Sequence, residues 1–565
     1  MFLRVALCLL LAAPGAAWAQ FGSVAPQSPV GTTAGTIAAG NDSRIIASAA
    51  NAAIAPVWRP MGLRSQYAYL GLSDGRRACA TYRKYYNVEN RAPSVGIKLR
   101  YSNAWGNQAN GVENDAPNDE TITASVETNT EFTTGTVFIS DTHKILNKVT
   151  FNSNSSGFLA KGGGYIESDP LMIPLIPGQM LYVNTYVCAD GNGEYPFNGA
   201  VRNPNDEQTN SGFTSSSVSV TASTTVTGTI SLTATLGVVQ TPVVPNTVWI
   251  TGPGITGTAT DNGSGVITGT GVTGTVNYTT GVWTLTFGTA QTGSYAVSAY
   301  VGPTTAVDDT MVLVPEDTQG LFQDSFGPSE ILTLQAPSAG KRPFGALLVG
   351  DSIMAGGGNS NDDLSFADYC RMTAAGSNVP NYGAAKIAQW SETTASFVTP
   401  GDHNRRLALV KGEFDEVIDN YGSNDAAGGA TLATLQANKL SEWALLGPYL
   451  PAGSKSIYVS TLLPRTTTTS GLIPVAGMGA GPSVRNEYNA WLYTEATAGV
   501  IGGVIDVNAG VELVPGSQTG TGDGEWASST YTSDGTHPTM TGDLAACAIV
   551  GSYGSSPSPA FVAPF

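Results

Sequence analysis

After residue 336, short apolar runs alternate with stretches of helical period, and this alternation constrains the chain more than any other feature. The runs FGALLVG, FDEVIDNYG, KSIYVSTLL and GGVIDVN read as buried strands, with helices predicted near 362–374, 384–397, 431–446, 483–498 and 541–550. Strands separated by helices pair through right-handed crossovers, which gives a mainly parallel sheet covered by helices on both faces. Sites in such sheets form beyond the carboxyl ends of the strands. Gly350-Asp351-Ser352 falls at the end of the first run.

Upstream, the hydrophobic period shortens to two. From 61 to 220 the alternating runs SVGIKLRYS, TGTVFIS, KVTFNS and MLYVNTYVCA are separated by Gly, Asn, Asp and Pro clusters, which predicts a β-sandwich or jelly-roll domain. Between Arg202 and Lys341 there is no Lys or Arg, and within 221–305 Asp261 is the only charged residue. The Gly- and Thr-rich runs of 221–305 predict a small inserted all-β domain, joined by a connector at 306–340 to the α/β part at 341–565. So uncharged a sheet invites edge pairing unless it packs on a neighbour.

The first nineteen residues carry one cation, Arg4, then an apolar run and Ala17-Trp18-Ala19, the pattern of a cleaved signal peptide; 20–60 reads as a leader or linker. No later run offers the roughly 18 apolar residues of a membrane span, so the expected location is secreted or periplasmic. The full chain has a formal net charge of −17, one unit more negative without the signal. That balance disfavours nucleic acid and anionic lipid and favours a neutral or cationic substrate. Outside the signal, Cys79, Cys188, Cys370 and Cys547 remain, an even set that fits two disulfides in an oxidising compartment. Three connectivities are open; pairing Cys79 with Cys188 and Cys370 with Cys547 would staple two domains separately. Neither C-x-x-C nor H-E-x-x-H occurs, which argues against a zinc site.

The stretch ALLVGDSIMAGGG poses a choice between phosphate cradle and nucleophile. A phosphate loop ends in Gly-Lys-Ser/Thr, whereas GGGNSNDD supplies carboxylates that would repel the ligand. A serine nucleophile instead needs an imidazole base and preorganised oxyanion donors. The histidines are His143, in the β-region, His403, in the polar loop PGDHNRR, and His537. The first two read as surface residues. His537 lies in TSDGTHPTMTGDLAACA with Asp534 three residues before it, a spacing that lets the carboxylate bind one ring nitrogen and leave the other as a base. Gly422-Ser423-Asn424-Asp425 ends a predicted strand and offers the Asn424 amide to an oxyanion, while Gly383, placed before a predicted helix, offers a backbone N–H. One decoy, GLSDG at 71–75, matches a nucleophile elbow around Ser73 but leads into β-type sequence and reads as a turn.

Together these stretches resemble the SGNH hydrolases, also called the GDSL esterase/lipase family. The blocks Gly350-Asp351-Ser352-Ile353, Asn381-Tyr382-Gly383, Gly422-Ser423-Asn424-Asp425 and Asp534-Gly535-Thr536-His537-Pro538 stand in family order over about 340–555; Ile353 replaces the usual leucine, and the second block rests mainly on Gly383. The resemblance implies a three-layer α/β/α fold, Ser352 as nucleophile, His537 as base and Asp534 as its orienting acid. It also implies an oxyanion hole from the Ser352 N–H, the Gly383 N–H and the Asn424 side chain, with no metal or organic cofactor. The β-region before the α/β part is similar to the jelly-roll module that precedes some secreted members. The expected activity is ester hydrolysis, foremost removal of acetyl groups from a polysaccharide. Lipid or polyester hydrolysis, with Trp390, Trp443, Trp491 or Trp526 lining an acyl pocket, is the second expectation. A non-catalytic glycan-binding surface protein is the third.

Overall fold

A computed structural model describes residues 56–61, 71–72, 79–87, 94–107, 111–129, 144–162, 164–175, 180–191, 193–197, 207–208, 212–232, 242–301, 310, 326–335, 343–358, 364–373, 383–412, 414–467, 473–479, 483–513 and 524–550. The signal sequence, His143, Ser73 and the pair Asn381-Tyr382 lie outside them.

The α/β part is built on five parallel strands in the order Gly383–Lys386, Gly345–Val349, Glu416–Asp419, Ile457–Ser460 and Gly503–Ile505. Successive side chains of a strand point to opposite faces, and Gly345–Val349 follows that rule. Ala346 and Leu348 enter a core shared with helices Phe366–Thr373 and Met540–Val550. Leu347 and Val349 enter another, shared with Asn404–Leu409, Leu432–Leu446 and Val484–Thr497. Both faces are therefore covered, as the apolar runs require. The Cys370–Cys547 disulfide ties the two helices of the first face.

The strand Gly383–Lys386 departs from the expected helix over 384–397; only Thr394–Phe397 of that stretch is helical. Its GAAK sequence has helix-favouring residues, but pairing with Gly345–Val349 overrides that preference.

Upstream, an antiparallel sheet in the order Val57–Pro60, Glu330–Gln335, Ser94–Ser102, Tyr165–Glu167 shares one apolar core with a second antiparallel sheet built on Cys79–Asn87, Met180–Ala189 and Glu120–Asn129. The Cys79–Cys188 disulfide lies between paired positions of two strands in the second sheet. Val57–Pro60 falls in the expected leader and Glu330–Gln335 in the expected connector. They pair with each other across the intervening chain, and Glu330–Gln335 pairs with Ser94–Ser102 along its other edge.

A third antiparallel sheet contains the long strands Gly212–Thr229 and Val282–Val301 and has its own core, with Trp283, Leu285, Tyr295 and Val297 inward. It begins earlier than the expected 221. Its lone charge is internal: buried Asp261 accepts from the Asn246 N–H at 2.6 Å, the Val248 N–H at 2.7 Å and the Tyr278 hydroxyl at 2.6 Å. Three strong donors on one carboxylate make this the sheet's polar anchor. With charge-assisted bonds worth ~1.5–3 kcal/mol each, Asp261→Ala is expected to destabilise the sheet locally by roughly 3 kcal/mol or more. Amide hydrogen exchange over 246–261 measures this, and wild-type protection there would contradict it.

Candidate active site

Ser352 stands just past the carboxyl end of Gly345–Val349, on a tight turn in which the Ala355 N–H donates to the Asp351 carbonyl at 3.0 Å and the Gly357 N–H to the Ser352 carbonyl at 2.7 Å. The turn starts at a residue that must be small. A Cβ on Gly350 would lie 2.6 Å from the Met354 Cβ and 3.2 Å from the Asn420 Cβ.

His537 reaches Ser352 from the far end of the chain. Its Nε2 is 2.8 Å from the Ser352 Oγ, and its Nδ1 is 2.6 Å from Asp534 Oδ2. Asp534 Oδ1 also accepts the backbone N–H groups of Thr536 and His537, each at 2.8 Å, so the carboxylate is fixed by its own loop. Burial pushes the Asp534 carboxyl up, but the hydrogen bonds and charge of His537 outweigh it and hold the group well below the usual range. An ionised Asp534 accepts a hydrogen bond from the Nδ1–H and leaves Nε2 facing the serine hydroxyl.

The loop itself is pinned from outside. The Gly535 carbonyl accepts from Trp526 Nε1 at 3.0 Å and from the Thr466 N–H at 2.7 Å, and the Thr532 hydroxyl donates to the His537 carbonyl at 2.8 Å. Gly535 has a left-handed φ of 86°, and a Cβ there would meet the Thr466 carbonyl at 2.4 Å. The glycines after Ser352 serve the same end: Cβ atoms on Gly357 and Gly358 would each lie 2.7 Å from the His537 side chain. They make room for the imidazole.

Asn424 lies in the short helix Ser423–Ala427, beyond the strand Glu416–Asp419 and at the same end of the sheet as Ser352. Its Nδ2 donates to the Glu392 carbonyl at 3.0 Å, and its Oδ1 accepts from Arg465 at 3.0 Å. An amide has two N–H donors, so one remains for a ligand.

Gly383 does not join this group. It pairs with Gly345 at the amino-terminal end of the sheet, opposite the end from which Ser352 projects, so its N–H has no route to an oxyanion there. Expecting a helix after Gly383 put the wrong end of this segment at the site. The carboxyl end of that strand leads instead to Trp390, whose ring lies 5.4 Å from that of His537, and to Ser391, with a left-handed φ of 61°.

His403 is buried rather than on the surface, with Nδ1 2.6 Å from the Phe397 carbonyl. Neither Arg465 nor Glu392 carries a sequence signal, since each matters through a partner distant along the chain. Among the described residues, no group of three or more His, Cys, Asp and Glu is placed to hold a metal ion, and no helix is long and apolar enough to cross a membrane.

No family profile and no curated protein matches the chain. Solved structures do match, over about a third of it. A lipase/acylhydrolase from Enterococcus faecalis is 19% identical over 36% of this chain and 93% of its own, with a TM-score of 0.27. For a putative lipolytic protein of the G-D-S-L family from Desulfitobacterium hafniense the values are 17%, 36%, 95% and 0.26. An acetyl xylan esterase from Geobacillus stearothermophilus gives 14%, 36%, 91% and 0.24. The resemblance to G-D-S-L lipolytic hydrolases is thus confined to one part of the chain.

Beside the serine, Asp351 is fully buried; Oδ1 accepts the Ile353 N–H at 2.9 Å, and Oδ2 has no hydrogen-bond partner among the described residues. Burial pushes its pKa from 3.8 up to about 6, against the lowering effect of that hydrogen bond and of His537 and Arg465. Between those values the folded protein keeps a proton that the unfolded chain releases, so folding stability falls as pH rises through the window. Asp351→Asn, which stays neutral, is expected to flatten that decline. Thermal melts of both proteins between pH 4 and 7 test this, and parallel pH profiles would contradict it.

Proposed function

We propose that this protein is a secreted serine esterase that hydrolyses carboxylic esters through an acyl-enzyme, with acetyl groups on a polysaccharide as its substrate. The observation that carries the reading is the hydrogen-bonded line from Asp534 through His537 to Ser352, with the Asn424 amide at the same end of the sheet.

In this reading the Ser352 Oγ attacks the ester carbonyl as His537 Nε2 takes its proton. The oxyanion is met by the Ser352 N–H and the uncommitted Asn424 N–H. The imidazolium, held by Asp534, protonates the departing alkoxide, and water then releases the acid by the same steps in reverse. Residues 341–565 act as a three-layer SGNH-hydrolase domain, with a β-sandwich domain and an inserted all-β domain upstream. The signal-like first nineteen residues and the acidic composition support an extracytoplasmic setting and a neutral polymer as partner.

The tryptophans favour a short acyl group over a lipid or polyester chain. Trp443 and Trp526 are core residues, and Trp491 stacks on Trp443 with centroids 5.4 Å apart. Of the four, Trp390 alone packs beside His537. A purely glycan-binding role gives no reason for the hydroxyl, imidazole and carboxylate to stand in line.

Ser352→Ala is expected to lower kcat on p-nitrophenyl acetate by ~10³-fold or more. Wild type, but not this variant, should release acetate from acetylated polysaccharides. Unchanged turnover in the variant overturns the esterase reading, whereas faster cleavage of octanoate than acetate esters overturns the acetyl assignment.

A further inference from the structure

The antiparallel hairpin formed by Ala104–Asn107 and Val112–Asp115 belongs to the upstream β-region, yet it touches the backbone that holds Asn424. At its turn, Gly111 has a left-handed φ of 69°, and a Cβ there would lie 2.7 Å from the Glu392 Cα and 3.1 Å from the Ser391 carbonyl carbon. Gly106 likewise backs directly onto the Gln389 side chain, 2.5 Å from its Cδ by the same measure. The hairpin is thus seated on the 389–392 segment, which carries Trp390 against His537 and presents the Glu392 carbonyl to Asn424.

A second route runs through charge. The Glu113 carboxylate accepts the backbone N–H groups of Arg405 at 3.3 Å and Arg406 at 3.1 Å, in the first turn of Asn404–Leu409. The Arg406 guanidinium then grips the Glu392 carboxylate with two bonds, of 2.8 and 2.7 Å, and also donates to the carbonyls of Ile387 at 3.1 Å and Asp402 at 2.6 Å. Tyr421 donates its hydroxyl to the same carboxylate. Arg406 and Glu392 are fully buried, so no water competes for these bonds.

We propose that this hairpin is a positioning element of the active site, fixing the Asn424 amide as an oxyanion donor through Gly111, Glu113, Arg406 and Glu392. The inference rests on the esterase reading given above. Its physical core is the orientation of one amide. With Oδ1 bound by Arg465 and one N–H on the Glu392 carbonyl, a flipped amide would set oxygen against oxygen and nitrogen against guanidinium. The remaining N–H is therefore aimed only while the Glu392 carbonyl stays in place. Ser391, a non-glycine residue in the left-handed region, marks where the segment is held against its own preference.

Gly111→Ala pushes a methyl group at the Glu392 backbone, and Glu113→Gln keeps the side chain's shape while removing one of its two acceptors. Both are expected to lower kcat on p-nitrophenyl acetate by about tenfold, less than the ~10²–10³ of deleting a donor, with KM within about twofold of wild type. Affinity for a boronic acid, which forms a tetrahedral adduct on Ser352, should weaken in proportion to kcat/KM. Asp115→Asn breaks only the solvent-facing ion pair of the hairpin with Arg405 and should leave kcat unchanged.

The proposal is overturned if Glu113→Gln keeps wild-type kcat and boronate affinity while Ser352→Ala is inactive. It is also overturned if Asp115→Asn loses as much kcat as Glu113→Gln, because general loosening would then explain both. A wild-type protein with no Ser352-dependent turnover removes the esterase reading itself, and this proposal with it. If Gly111→Ala melts far below wild type, Glu113→Gln alone decides.

Discussion

The strand Gly345–Val349 is hydrogen-bonded along both edges, to Gly383–Lys386 on one side and Glu416–Asp419 on the other, and both neighbours run parallel to it. Parallel pairing makes the carboxyl ends of neighbouring strands coincide. The turn carrying Ser352, the segment carrying Trp390 and the helix carrying Asn424 therefore leave the sheet side by side, although the sequence spreads them over many residues. His537 arrives from a loop that belongs to no strand, which is why that loop needs Trp526 and Thr466 to hold it. The geometry of the candidate site is a property of strand direction first and of side chains second.

Buried ion pairs reinforce this arrangement. Lys439 is enclosed with Asp419 and Glu442, Arg406 with Glu392, and Arg485 with Glu512. Removing charges from water costs about as much as their attraction returns, so such pairs add little net stability. Separating the partners, however, strands a charge in the core at several kcal/mol, and competing arrangements are disfavoured by that amount. Asp419 ends a strand next to the Asn424 turn, and Glu392 precedes a short helix. One pair stands where a strand gives way to the Asn424 segment, the other where the 389–392 segment gives way to a helix.

Much of this was legible because its signals are local. The four apolar runs, the helices near 431–446, 483–498 and 541–550, and the three-residue spacing of Asp534 and His537 each declare themselves within a few residues. The opposite holds for Gly383–Lys386, whose Ala- and Lys-containing sequence favours a helix until a neighbouring strand is available. That single misreading moved Gly383 from one end of the sheet to the other. Val57–Pro60 and Glu330–Gln335 escaped notice because their partners lie far along the chain: each pairs with the other, and Glu330–Gln335 also with Ser94–Ser102. Arg465 and Glu392 act on Asn424 only through distant contacts, which leave no periodicity or motif to read.

The third sheet has a further consequence in its pairing. Gly212 lies opposite Val301, and Phe213 opposite Tyr300, so the chain enters and leaves this sheet through adjacent positions. Opposed residues of an antiparallel pair stand about 5 Å apart, a gap that a short turn spans. The described residues between 212 and 301 have a core of their own and an internal anchor at Asp261. Neighbouring ends of this kind are what a graft point requires: a module whose own termini lie side by side could take the place of this sheet with no strand of the parallel sheet interrupted.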